Sequence, residues 1–155
     1  MSNTAVMAFG EETTSKVAAM IASKLNADLI VNEKMLDGAT VVVAGTHVRM
    51  GKFNKRYIRF VKKYAAKVRI YTFIVGAEIE KKQKYVDLAE KDSGGKAWYV
   101  WGELNANKAK GLKKFALQAF IDGRRQDGLP TPRLLDKEIA ALCREVMLEN
   151  QIMEK

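Results

Sequence analysis

The chain has 155 residues, 48% apolar and 29% charged, enough for one domain around a full hydrophobic core and too apolar for a disordered segment. Lysine and arginine number 27 against 18 acids, a net charge of +9 that favours anionic partners, while one histidine and one cysteine leave no paired Cys/His metal spacing and no internal disulfide. No apolar run reaches membrane-spanning length and the first residues lack a secretory pattern, so a reducing cytoplasm is the expected setting.

Residues 4–9 read as a first strand stopped by Gly10. Residues 13–25 read as a helix with Val17, Ile21 and Leu25 on one stripe, Met20 beside them and Thr13 as its N-cap. A short second strand spans 27–31 and a third spans 40–44, an unbroken β-branched run that needs both faces covered and so belongs at the centre of a parallel sheet. The run breaks at Gly45 and passes through a loop, 46–52, into a basic helix over 52–67. That helix should turn Phe53, Tyr57, Phe60, Val61 and Tyr64 to the core.

A fourth strand over 69–75 ends at Gly76, a helix follows over 78–90, and Ser93-Gly94-Gly95 signals a turn. The fifth strand, 97–101, closes at Gly102 and puts Trp98 and Trp101 on opposite faces. A basic helix over 108–120 carries Leu112, Phe115, Ala116 and Ala119 as its apolar stripe. A loop over 123–132 holds both prolines, and a last helix, 135–147, turns Ile139, Leu142 and Val146 inward with Cys143 as a buried thiol.

Five strands alternating with helices predict one doubly wound parallel α/β domain over 1–155. Gly10, Gly45, Gly76 and Gly102 are all expected at strand ends, and ligands of such sheets sit beyond the carboxyl ends of the strands. There is no Walker motif, no GxGxxG after the first strand and no second histidine to serve a nucleophile. The acid-free block from Lys52 to Arg69 and the lysines at 108, 110, 113 and 114 form basic faces suited to an acidic redox protein or an anionic membrane surface. Nucleic-acid binding is disfavoured, because Phe53, Tyr57, Phe60 and Tyr64 lie on the stripe opposite the basic one.

Three stretches carry a family resemblance. Gly45-x-x-Val48-Arg49-x-Gly51-x-Phe53 with the downstream Phe60-Val61-Lys62-Lys63, then Trp101-Gly102-Glu103-Leu104, and Thr14-x-x-Val17-Ala18 together resemble the flavodoxin-like family. Within it they resemble the flavodoxin-domain protoporphyrinogen oxidases of the menaquinone-dependent type. The resemblance implies a flavodoxin-like three-layer α/β/α sandwich with a five-stranded parallel sheet of order 2-1-3-4-5. It implies a flavoprotein that binds FMN and works in electron transfer or as an oxidoreductase, in the cytoplasm or peripheral at the membrane.

On the same footing, Gly10, Thr13, Thr14 and Ser15 would take the flavin phosphate. Thr46, His47, Val48, Arg49, Met50 and Gly51 would flank the ring, with Gly76, Ala77, Trp101 and Gly102 closing the rim. Met50 stands where the family often has an aromatic, and Arg49 would face anionic substrate or reduced flavin. The first loop departs from the family: Ala8 and Phe9 replace hydroxyls, and Glu11 and Glu12 bring negative charge towards a dianion. A flavin-free binding or interaction module that has lost the phosphate site is therefore the alternative reading.

Overall fold

Val41, Val42, Val43 and Ala44 are completely buried, as an apolar run without alternation requires. In a computed structural model that describes residues 3–10, 12–36, 38–102, 111–129 and 133–154, they open the central strand β3 (Val41–Arg49). Around it lie β1 (Thr4–Phe9), β2 (Asp28–Leu29), β5 (Arg69–Val75) and β6 (Ala97–Tyr99), all parallel, in the order β2-β1-β3-β5-β6. Counting parallel strands alone, this is 2-1-3-4-5. A two-residue strand, β4 (Lys52–Phe53), pairs antiparallel to the end of β3.

Both faces of the sheet are covered. On one side α1 (Glu12–Leu25) and α5 (Asp136–Glu154) bury Val17, Ala18, Ile21, Ile139, Leu142, Cys143 and Val146 against Val6, Val43 and Phe73. On the other, α2 (Lys55–Tyr64) and α3 (Lys82–Ser93) bury Tyr57, Phe60, Val61, Tyr85 and Ala89 against Met7, Val42, Ile74 and Tyr99. Each fully buried large apolar side chain stabilises the fold by about 1.5–3 kcal/mol. The Tyr57 hydroxyl lies 2.8 Å from Thr72 Oγ1 inside that second core, and burial pushes its phenol up to about 12.

Several boundaries differ from the sequence-based expectation, each for a local reason. The expected loop at 46–52 is instead the end of β3 and a hairpin. Met50 (φ 53°) and Gly51 (φ 76°) both take the left-handed conformation that a two-residue hairpin turn requires. Gly45 consequently lies inside β3, under the Phe73 ring, rather than at a strand end. The second helix then starts at Lys55, because Asn54 caps it by accepting the Arg56 N–H at 2.8 Å. Thr13 lies within the first turn of α1 rather than capping it.

The second strand shrinks to a two-residue edge, and residues 78–81 form mainly a 3₁₀ turn (Ile79–Lys81) ahead of α3. The fifth strand stops at Tyr99. Trp98 and Trp101 nonetheless face opposite cores, as alternation demands. The apolar stripe assigned to the basic helix is wrong: in α4 (Gly111–Gln126) Phe115, Ala116 and Ala119 are exposed, and Ile121 and Arg124 are buried. Glu11, Glu103, Leu104, Lys108, Lys110, Pro130 and Pro132 lie outside the described residues, and with them part of the first loop and the start of the basic helix.

Candidate functional site at the carboxyl edge of the sheet

Parallel pairing carries the ends of β1 and β3 to one place, with Phe9 opposite Thr46. One residue beyond that last β1–β3 pair lie Gly10 and His47, and the first turn of α1 closes the third side. A Cβ added at Gly10 would sit 2.6 Å from both His47 Nδ1 and Thr14 Oγ1, so only glycine fits there. Those two atoms are buried and have no hydrogen-bond partner among the described residues. A buried polar atom left unpaired costs about 1–3 kcal/mol, and such atoms concentrate where a protein has a use for them.

Their chemistry suits an anion. The Thr14 hydroxyl donates, His47 Nδ1 donates in the tautomer protonated there, and the amino end of α1 adds its partial positive charge. Desolvation lowers the His47 pKa, so the ring is neutral at pH 7. Thr13 is half-buried beside this point and Ser15 is exposed one residue on. Glu12, exposed in the first turn of α1, opposes an anion from outside.

Thr46 is fully buried and its hydroxyl is already committed: it donates to the His47 carbonyl and accepts the Asn54 N–H, both at 3.1 Å. This bond pair braces the base of the hairpin. Val48 packs on the α2-side core, whereas Arg49 is exposed and Met50 projects at the hairpin tip with 93% of its surface in solvent.

Across the edge, Gly76, Ala77, Trp101 and Gly102 do come together. Trp101, at φ 60° and buried, donates its indole N–H to the Ala77 carbonyl at 3.1 Å, and Gly102 packs on the Gly76 backbone. Tyr99 donates its hydroxyl to the Glu78 carbonyl at 3.0 Å, and burial raises its pKa strongly. Tyr99 was absent from the expected site; its place at the end of a strand, two residues before Trp101, was the available signal. These two aromatics pin the backbone that follows β5.

A parallel sheet in this order, helix-covered on both faces, with unpaired polar atoms past its carboxyl ends, is a flavodoxin-like α/β sandwich. No family model matches the chain, and no curated protein matches it in sequence. By structure it is similar to the rubredoxin oxygen:oxidoreductase of Desulfovibrio gigas, with a TM-score of 0.51 and 10% identity over 94% of this chain. That alignment takes in 37% of the other protein, so the chain spans well under half of its length. A protein described as a flavoprotein from Bacteroides eggerthii aligns at TM-score 0.43 and 13% identity, covering 77% of this chain and 96% of that one. A response regulator from Burkholderia multivorans aligns at 0.38 and 11%, covering 86% and 100%. At these identities the likeness is one of fold.

Proposed function

We propose that this chain is an FMN-binding, flavodoxin-like redox domain. The observation that carries the proposal is the unpaired Thr14 hydroxyl and His47 nitrogen on either side of Gly10. Thr14, His47 and the hydroxyls of Thr13 and Ser15 at the amino end of α1 would hold the phosphate. Val48, Arg49, Met50 and Gly51 would flank one edge of the ring and Gly76, Ala77, Trp101 and Gly102 the other. When bound, FMN supplies one- and two-electron redox chemistry. The chain's own part is positioning: the Trp101–Ala77 bond fixes the loop after β5, and the Arg49 cation would oppose negative charge on the bound flavin.

An oxidation of the protoporphyrinogen-oxidase kind rests only on the sequence resemblance carried by residues 45–63, 101–104 and 14–18. The exposed basic face of α2 and the exposed Phe115 on α4 support an acidic redox partner or an anionic membrane surface as the second participant. A cytoplasmic setting, with contact at the membrane surface, goes with that reading. No described helix is long and apolar enough to cross a membrane.

A flavin-free interaction module is the second reading, favoured by the exposed Glu12 and by Tyr99 and Trp101 filling the rim with their own hydrogen bonds. Titrating the purified chain with FMN while following flavin fluorescence separates the two. The proposal expects saturable quenching at micromolar FMN, lost in Gly10→Ala, whose methyl would meet both polar atoms. Unchanged fluorescence with a colourless protein establishes the flavin-free reading instead.

A further inference from the structure

A second site lies on the α2 face; of the residues discussed for the flavin it shares Phe9 alone, and none of those proposed to hold it. Among the described residues of 30–40, between β2 and β3, the one helical element is a 3₁₀ turn (Glu33–Leu36), where doubly wound sheets usually carry a full helix. Residues 31–34 and the α2 side chains Arg56, Arg59 and Lys63 border the same opening there. The result is an open groove of about 840 Å³, within the usual range of ligand sites.

Its lining has two distinct parts. Met7 and Phe9, themselves buried in the core, form an apolar floor, and Val31, 83% exposed, extends it along the wall. Arg56, Arg59 and Lys63 follow one another along the α2 side at helical spacings of three and four residues, so they share one face. The carboxylate present, Glu33, is already satisfied. It accepts from Lys63 Nζ at 3.0 Å and from the Tyr64 hydroxyl at 3.2 Å. Those bonds hold its carboxyl below the usual range, with Arg59 acting on it only at a distance. Among the described residues neither Arg56 nor Arg59 forms an ion pair.

We infer that this groove binds an amphipathic carboxylate, its apolar body lying over Met7, Phe9 and Val31 and its carboxylate paired with Arg56 and Arg59. Neither half alone accounts for the arrangement. A bare anion has no use for the apolar floor, and an uncharged apolar ligand leaves Arg56 and Arg59 with Glu33, already bound to Lys63 and Tyr64, as the one carboxylate among the described residues of the lining. Guanidinium groups match carboxylates through parallel N–H···O bonds, which gives the head group its orientation. The inference is independent of flavin binding, because no residue of the groove belongs to the Gly10–Thr14–His47 site.

Calorimetric titration of the whole chain with decanoate, acetate and decanol tests it. Decanoate should bind saturably at one site, with acetate and decanol each at least about tenfold weaker. Arg56→Gln/Arg59→Gln, two exposed positions whose replacement leaves the core intact, should weaken decanoate about tenfold with an unchanged circular-dichroism spectrum. Val31→Asp, also exposed, should weaken it as well. Added FMN should leave decanoate binding unaltered, and that arm reads the same whether or not FMN binds elsewhere. The inference is overturned by an absence of saturable decanoate binding, by equal binding of acetate, by undiminished binding in the double variant, or by displacement with FMN.

Discussion

His47 is held neutral by its surroundings rather than by a partner, and this has a measurable consequence. Its folded pKa lies below the ordinary 6.5, through desolvation. Between that lowered value and 6.5 the unfolded chain binds more protons than the folded one, so stability rises with pH there and falls on acidification. Thermal unfolding followed from pH 7 down to pH 5 should therefore show a loss in the wild type that is smaller in His47→Gln, which has no proton to take up. Equal slopes in the two proteins would show that the imidazole is not desolvated. The sequence placed His47 near the ligand edge, but its meeting with Thr14 across Gly10 could not be read there. That contact depends on the register that sets Phe9 opposite Thr46, and strand register is not written in either strand alone.

At the level of elements, the β3–β4 hairpin and the start of α2 form one unit. Thr46 accepts the Asn54 N–H while the Asn54 side chain accepts the Arg56 N–H, so a single residue ties the hairpin to the helix. Asn54→Ala should cost about 1 kcal/mol in urea denaturation, with an unchanged denaturant slope. A change below a few tenths would mean that the cap does not hold in solution. The apolar stripe of α2 was legible because Tyr57, Phe60, Val61 and Tyr64 recur at helical spacing. Its start was not, because Phe53 continues the apolar stripe while belonging to a strand. The hairpin was hidden because Met50-Gly51 lacks the Asn-Gly signature of such turns, although it adopts their backbone. In α4 the pattern misled outright: Phe115 suggested burial and is 77% exposed, while the charged Arg124 is 6% exposed.

At the scale of the molecule, Arg124 anchors α4 to the edge of the site. Its guanidinium makes two hydrogen bonds to Glu80, at 2.7 and 3.3 Å, reaching the 3₁₀ turn that follows β5. The arginine is buried and the carboxylate is 44% exposed, so Arg124→Gln should destabilise by about 1–3 kcal/mol through lost charge-assisted bonds. Arg124 holds the Glu80 carboxyl below its ordinary 4.5, so the bond's contribution is fully present at neutral pH. It is lost as pH falls through the lowered folded value. The gap in unfolding free energy between wild type and Glu80→Gln should accordingly narrow below about pH 4.5 and stay constant above it. A gap independent of pH would dissolve this assignment. The parallel sheet was legible in the alternation of elements, whereas its strand order came from the family resemblance. The groove beside α2 was not legible, because it adjoins a connection, 30–40, whose described residues form a 3₁₀ turn in place of a full helix.

The two outermost strands of the sheet are two and three residues long. Unpaired backbone N–H and C=O groups at a sheet margin are what recruit a neighbouring chain into intermolecular strand pairing. With margins this brief, concentrated solutions of the folded protein should resist fibril growth from the sheet edges, and any self-association should proceed through side chains.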